Sequence, residues 1–243
     1  MYTVVVEEVR KRFGSVVAVS GVSFKVAGGE IYCIVGPNGA GKTTTLRMVT
    51  GLIAPDGGRV EVLGGDPLKM SVEKRRKISY LPEDAGVYKN LSGIEYLEFV
   101  AGVYARSSVE AREMVERGIE LSGLGDALGR RASSYSKGMK RRLALAAALM
   151  VEPEVVVLDE PTAGLDVSHA LAVRDSIISY VRSSGASAIL SSHNMLEVEY
   201  ICSRVGLISR GRIVDEGSPE ELKARYEGRN LEEVYVKVVG VVS

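Results

Sequence analysis

The sequence predicts an α/β fold in which helices flank a mainly parallel sheet, with an N-terminal antiparallel β patch and an inserted helical subdomain. Three patterns lead to this prediction. Apolar runs alternate with helical patterns over residues 155–214, which is typical of parallel strands joined by right-handed crossovers. Short strands separated by glycine turns open the chain, which indicates the antiparallel patch. Residues 91–150 show helical periodicity without a convincing strand, which indicates the insertion.

The predicted elements follow from local pattern in chain order. Strands of the β patch are predicted at residues 2–9, 16–19, 22–26 and 58–62. A buried strand at 30–35 and a helix at 42–51 enclose a glycine-rich loop. The helical insertion breaks at Gly123, Gly125 and Gly129. The later strands are predicted at 155–158, 186–190, 205–208 and 212–214, with helices at 140–150, 167–182 and 194–201.

Size and composition narrow the class of protein. The 243 residues can bury a large core, and they suit one α/β domain with a subdomain. Lys plus Arg and Asp plus Glu balance at 31 each, so bulk charge gives no argument for nucleic-acid binding. No apolar run approaches the ~20 residues that cross a bilayer, and no signal peptide opens the chain. We therefore expect a soluble, cytoplasmic protein with Cys33 and Cys202 reduced in its core.

Residues 36–44, GPNGAGKTT, fit the phosphate-binding pattern G-x-x-x-x-G-K-[ST]. Its glycines let consecutive backbone N–H groups converge on phosphate oxygens. The lysine adds charge at the β and γ phosphates, and the following hydroxyl ligates Mg²⁺. The fold is therefore predicted to be a P-loop NTPase core. The predicted nucleotide ligands are Gly36, Pro37, Asn38, Gly39, Ala40, Gly41, Lys42, Thr43 and Thr44, with Thr43 also binding the metal.

Two carboxylates end the apolar run at 155–158. They fall at the carboxyl edge of a parallel sheet, where ligands of such sheets bind, and Pro161 stops the strand. Asp159 is predicted to hold Mg²⁺, and Glu160 to polarise an attacking water as general base. Taken alone, the pair could equally be the solvated acidic end of a strand. Beside a phosphate loop, it favours hydrolysis of the nucleotide.

A second predicted anion site lies at residues 134–139, SYSKGM, a Ser/Gly-rich stretch directly before a helix. At this point the chain resembles the ATPase subunit of ABC transporters. The parts come in that family's order: phosphate loop, helical insertion, signature at a helix start, Asp-Glu strand, the sequence AGLD at 163–166, and His193 after a strand. The signature reads YSKGM in place of the usual LSGGQ, and this variant is similar to that of the ABC-2 type, the drug and sodium exporter branch.

The resemblance implies roles within the nucleotide site. Phe13 would stack on adenine, where the family more often has Tyr; the alternative is a core Phe on an edge strand. Glu83 stands where the family usually has Gln and would bridge Mg²⁺ or the attacking water to a membrane partner; the alternative is a loop Glu without a role. His193 would contact the γ-phosphate and hold Glu160 and water in line.

The resemblance also implies that the site is shared between two subunits. Ser136 and Gly138 would meet the γ-phosphate of ATP held by a second subunit, and Asp166 would reach the partner's phosphate loop. Lys137 replaces a glycine and either adds charge near that phosphate or is solvated at the helix start. His169 has no matching role.

The predicted function is that of an ATP-binding and ATP-hydrolysing subunit of a membrane ABC transporter, with ATP and Mg²⁺ as ligands. Its expected partners are a second copy or a paralogous ATPase subunit, and integral membrane permease subunits that hold it at the inner face of the cell membrane; no nucleic acid is expected. Val87 and Tyr88 are either core or part of the groove for the permease. The alternative is a soluble ABC-type ATPase or ATP-dependent regulator without a membrane partner.

Within one ABC ATPase domain over residues 1–243, we expect three parts. Residues 1–83 and 152–226 form the catalytic core with the β patch. Residues 84–151 form the helical signature subdomain, and residues 227–243 form a C-terminal tail.

Overall fold

The computed structural model describes residues 1–242, which form two sheets and a set of flanking helices; Ser243, the end of the predicted tail, lies outside the described residues. The strands are β1 Tyr2–Phe13, β2 Val16–Ala27, β3 Ile31–Val35, β4 Gly57–Val62, β5 Ile78–Leu81, β6 Val155–Asp159, β7 Ser187–Ser192, β8 Arg204–Ser209 and β9 Arg212–Gly217. The helices are α1 Lys42–Val49, α2 Val72–Arg75, α3 Gly93–Tyr104, α4 Ser108–Ser122, α5 Lys137–Leu149, α6 Val167–Ser184, α7 Met195–Ile201, α8 Pro219–Arg225 and α9 Leu231–Val242.

The larger sheet has six strands in the order β5-β6-β7-β3-β8-β9. The first five of these strands run parallel, and β9 pairs with β8 in the antiparallel sense. The predicted mainly parallel α/β fold is confirmed. Every residue of β3, β6 and β7 is buried, because helices and the second sheet cover both faces. Because the five strands run parallel, their carboxyl ends lie at the same edge of the sheet, and the candidate active site lies at this edge.

The smaller sheet is the predicted antiparallel patch, in the order β2-β1-β4. It packs over α1, so that Leu46 of α1, Val6 of β1 and Ile34 of β3 belong to one hydrophobic cluster. The separate strands predicted at 16–19 and 22–26 are wrong in one respect, since they form the single strand β2. Its register against β1 shifts repeatedly, and Gly21 within it has a φ of 99°. Irregular pairing of this kind lets a long strand bend without ending.

The predicted helical insertion is present as α3, α4 and α5. Ser92 begins α3 with a reciprocal capping box to Glu95, and Gly123 ends α4 in the left-handed conformation. Short 3₁₀ turns at Gly125–Gly129 and Ala132–Ser134 connect α4 to α5. Helix α5 begins three residues earlier than predicted, because Ser136 caps it by accepting a hydrogen bond from the Met139 amide.

The C-terminal segment packs on the core through α8 and α9. Leu231, Val234 and Val238 of α9 are buried in the main hydrophobic cluster. Lys223 of α8 forms a 3.1 Å ion pair with Glu199 of α7. Among the helices of residues 1–242, none combines the length and hydropathy that crossing a membrane requires. Both cysteines are buried and unbridged, as expected.

Candidate active site

The phosphate loop lies directly after β3, in the middle of the parallel sheet. A Cβ atom on Gly36 would sit 2.3 Å from the carbonyl oxygen of Ile208, and one on Gly41 would sit 2.5 Å from that of Ala18. Gly41 also has a φ of 104°. Both positions therefore require glycine, because neighbouring backbone occupies the space that a side chain would need.

The amides at the start of α1 are available to an anion. Gly41 is the N-cap residue, and it has no side chain with which to cap the helix. Within residues 1–242 the amides of Gly39, Gly41, Lys42 and Thr43 have no hydrogen-bond acceptor. Adjacent unpaired N–H groups at a helix N-terminus form the preferred environment of a phosphate group.

The Lys42 ammonium is buried between the loop and Glu160. Its Nζ donates hydrogen bonds to the carbonyl oxygens of Gly36 at 2.7 Å and Pro37 at 3.2 Å. Its distance to Glu160 Oε1 is 3.3 Å, and both side chains are at most 7% exposed. The other carboxylate oxygen of Glu160 lies 2.8 Å from His193 Nδ1. The structure thus brings together the three predicted catalytic side chains, with the carboxylate between an ammonium and an imidazole.

Ser191, which sequence reasoning missed, fixes the backbone around the two carboxylates. It lies on β7 opposite Asp159, the last residue of β6. Its hydroxyl donates to Asp159 Oδ1 and accepts from the Glu160 amide at 3.0 Å. Glu160 itself has a φ of 46°, a conformation that a glutamate rarely adopts. The turn after β6 is therefore held by a side chain from the adjacent strand.

The oxygen atoms that suit Mg²⁺ come from Asp159 and Thr43. Asp159 is 1% exposed, and its Oδ2 accepts only a long, 3.4 Å hydrogen bond from the Tyr80 hydroxyl. Thr43 stands in the first turn of α1. No group of three or more His, Cys, Asp or Glu among the described residues could enclose a metal by itself. Carboxylate and hydroxyl oxygens suit an ion such as Mg²⁺, which takes its remaining ligands from phosphate and water. The metal roles of Asp159 and Thr43 stay predictions.

Glu83 is on the loop after β5, the strand next to β6. Its side chain is exposed, and its carboxylate makes no hydrogen bond or ion pair within residues 1–242. Its carbonyl oxygen accepts from Arg141, a buried residue of α5 that sequence reasoning also missed. The predicted metal role of Glu83 stays a prediction.

The signature helix and the Asp166 loop contact each other within one chain. A Cβ on Gly138 would sit 2.2 Å from the imidazole of His169. The same imidazole lies 2.8 Å from Asp166 Oδ2, and the His169 amide donates to the Asp166 carboxylate, which caps α6. This amide, followed by the imidazole and Ser168, holds the pKa of Asp166 well below its usual value. Neither Asp166 nor the exposed Ser136 bonds to the phosphate loop within residues 1–242.

Phe13 is at the end of β1 with its side chain 51% exposed, and Lys11 Nζ lies 5.6 Å from the ring centroid. The alternative of a core Phe is therefore wrong. An exposed ring with a free face is suited to stacking, and its adenine role remains a prediction.

Comparison with known proteins identifies the family. A family model described as ABC transporter matches residues 19–163. The daunorubicin resistance ATP-binding protein of Streptomyces coeruleorubidus is 36% identical over 231 residues, 95% of this chain and 73% of that protein. The chain belongs to the ABC transporter family. It is also similar to the linearmycin resistance ATP-binding protein of Bacillus subtilis, at 33% identity over 93% of this chain and 72% of that one.

A solved ATP-binding subunit of an ABC transporter superposes on this ABC ATPase with a TM-score of 0.84, at 27% identity, covering 98% of this chain and 99% of that one. The predicted similarity to the exporter branch is confirmed by the resistance proteins among its relatives. The chain is thus an ATP-binding, ATP-hydrolysing subunit of an ABC transporter.

Proposed function

We propose that this ABC ATPase hydrolyses Mg-ATP in a head-to-tail dimer and thereby powers export through separate membrane permease subunits. The observation that carries the proposal is the Glu160 carboxylate, buried beside the phosphate loop between Lys42 and His193. A buried carboxylate next to a loop of unpaired amides is suited to activating water against a bound phosphate.

Each side chain of this cluster has a role in hydrolysis. Glu160 Oε1 is 3.3 Å from the Lys42 ammonium but accepts no hydrogen bond in the described chain, so it keeps lone pairs with which to accept a proton from the attacking water. His193 orients the carboxylate through Oε2 and, being half-exposed, can also meet the γ-phosphate. Lys42 offsets the charge that develops on the phosphate. Asp159 and Thr43, joined by Glu83, would hold Mg²⁺, which neutralises negative charge on the β and γ phosphates when bound.

The second subunit completes the site. Ser136 caps α5, whose first turn contains Gly138, and Asp166 caps α6. None of these three residues forms a hydrogen bond with its own phosphate loop within residues 1–242. Head-to-tail pairing would set the α5 N-terminus of one subunit against the γ-phosphate held by the other, where helix amides stabilise an anion. Phe13 would hold the adenine. The partner is a second copy or a paralogous subunit.

A groove of about 470 Å³ lies beside the Glu83 loop and supports the permease contact. Apolar side chains of α3 and α5 line it, including Tyr96, Val100, Tyr104, Ala144 and Ala147. Such a groove fits one face of an amphipathic helix. Tyr88 packs edge-on against Phe99 nearby at 5.2 Å and is exposed, whereas Val87 is buried in the core.

This arrangement suits a core of residues 1–83 and 152–226 that carries the nucleotide, with residues 84–151 as the subdomain that touches the permease. The permease would hold the subunit at the inner, cytoplasmic face of the membrane. Export as the direction follows the resistance proteins among the relatives.

The test is Glu160→Gln, with Glu154→Gln as control, since Glu154 is exposed and pairs with Lys77 at the opposite end of β6. We expect the first variant to bind ATP, lose hydrolysis by roughly 10²- to 10⁴-fold, and accumulate as an ATP-dependent dimer in light scattering. The control should match the parent protein. An unchanged ATPase rate in Glu160→Gln would remove Glu160 from the base role, and a monomer with ATP bound would contradict the shared site.

A further inference from the structure

Arg141 connects the signature helix to the backbone of the catalytic segment. It lies on α5 and is 7% exposed. Its guanidinium donates five hydrogen bonds, all to backbone carbonyls: Nε to Pro161 at 2.8 Å, Nη1 to Pro82 at 2.7 Å and Glu83 at 3.2 Å, and Nη2 to Asp159 at 2.8 Å and Glu160 at 3.0 Å. One side chain therefore joins the loop after β5 to the turn after β6.

The chemistry of the guanidinium explains why Arg141 holds the two loop segments in a fixed relative position. A guanidinium is planar and presents its donors in a fixed fork, so five bonds determine the relative positions of the segments they join. Four of the accepting carbonyls come as two pairs of consecutive residues, 82–83 and 159–160, each pair served by one terminal nitrogen. A lysine, with one compact ammonium, cannot bridge both pairs at once.

The same helix begins at the surface that is proposed to face the second subunit. Ser136 is its N-cap, and Arg141 lies five positions further along the helix, an axial distance of about 7.5 Å. A continuous helix over this length moves as a rigid body. A displacement of the α5 N-terminus would therefore reach the carbonyl groups of Glu83 and Glu160 through the guanidinium.

We propose that Arg141 is a positioning residue that couples the partner-facing end of α5 to Glu160 of its own subunit, an inference that rests on the proposed shared site. When Ser136 engages the γ-phosphate held by the second subunit, Arg141 sets the Glu160 turn in its own site. Hydrolysis in each site then depends on nucleotide in the other. The link also reaches Glu83, beside the groove proposed for the permease.

The test compares Arg141→Lys and Arg141→Gln with the control Arg142→Lys. Arg142 is the next residue of α5, and its Nη2 donates to the Gly123 carbonyl at 2.7 Å, away from the site. We expect kcat of both Arg141 variants to fall by about tenfold or more and the Hill coefficient for ATP to approach one. Affinity for a fluorescent ATP analogue should stay near the parent value, because the phosphate loop is untouched. Arg142→Lys should match the parent protein in all three measurements.

The outcomes separate the two proposals. If Glu160→Gln fails to dimerise with ATP, the shared site is wrong and the coupling is wrong with it. If it dimerises while Arg141→Lys keeps the parent kcat and Hill coefficient, the coupling alone is wrong. The coupling would also be overturned if ATP affinity and Tm of the Arg141 variants fell in proportion to kcat, because that result would show that Arg141 only stabilises the fold.

If neither Arg141 variant folds, hydrogen exchange on Glu160→Gln decides. The coupling predicts that ATP protects residues 137–149 and 159–162 together, and protection of the first range alone would overturn it.

Discussion

Replacing Ser191 by alanine should destabilise the protein and slow hydrolysis, because one hydroxyl supports both carboxylates. The hydroxyl donates to Asp159 Oδ1 and accepts from the Glu160 amide at 3.0 Å. Ser191 is fully buried and Asp159 is 1% exposed, so water cannot easily replace either bond. The variant leaves Asp159 Oδ1 and the Glu160 amide without a partner at the carboxyl edge of β6, while Asp159 Oδ2 keeps its long bond from Tyr80.

The magnitude follows from these two bonds. A hydrogen bond to a charged group contributes about 1.5–3 kcal/mol, and an orphaned buried donor costs about 1–3 kcal/mol. Allowing for partial relaxation, the free energy of unfolding should fall by about 2–4 kcal/mol. For a chain of this size each kcal/mol lowers Tm by about 2–4 °C, so Tm should drop by roughly 5–15 °C. The protein should still fold, because a domain's total stability is about 5–15 kcal/mol.

The assay is urea unfolding followed by circular dichroism, together with steady-state phosphate release. Ser192→Ala is the matched control, since the Ser192 hydroxyl accepts one bond, from the Asn194 amide at 3.0 Å, at the mouth of the site. We expect its loss to be no more than about 1 kcal/mol. A Ser191→Ala protein within about 0.5 kcal/mol of the parent, at unchanged kcat, would refute this account of the turn.

Two further predictions concern the loop and the start of α6. Gly36→Ala should abolish ATP binding in calorimetry and cost about 1–3 kcal/mol in urea unfolding, because its Cβ would lie 2.3 Å from the Ile208 carbonyl. Gly102→Ala, in open space on α3, should instead stabilise by up to about 1 kcal/mol; equal effects would contradict the steric argument. The pKa of Asp166 is lowered chiefly by the His169 amide, so the ionised form favours the fold. The stability difference between the parent and Asp166→Asn should therefore be full above the usual pKa of 3.8 and shrink as pH falls below it; a difference independent of pH in urea unfolding would contradict this.

Local patterns predicted the catalytic segments because those segments are contiguous in the chain. The phosphate loop needs a strand, closely packed glycines and a helix start in succession, and residues 30–51 supply all of them. The pair Asp159 and Glu160 follows its own strand directly. In both cases the residues that determine the backbone are neighbours in sequence, so pattern and structure agree.

Residues whose role depends on tertiary neighbours were not predictable in this way. Ser191 matters because β7 pairs with β6, and its local sequence does not distinguish it from any serine that closes a strand. Arg141 stands in a run of basic residues on α5, and only packing of that helix against the sheet edge reveals its carbonyl contacts. Strand β5, which was not predicted, has only four residues, too few for a periodic signal. Two sequence features could have pointed to these residues. The serines at the end of β7 indicate polar contacts at the sheet edge, and the apolar stretch 143–149 indicates that α5 is buried directly after its basic residues.

Under the proposed mechanism, the residues that act in the partner's nucleotide site are connected through direct contacts to the residues that act in the subunit's own site. His169 packs on Gly138 and bonds to Asp166, so the two partner-facing loops are fixed to each other within a chain. Arg141, on the same helix as Gly138, is fixed to the Glu160 turn. Under this mechanism, a partner nucleotide that displaces Gly138 would also displace Asp166 and, through Arg141, the Glu160 turn. The proposed mechanism therefore predicts that the two sites do not hydrolyse ATP independently of each other.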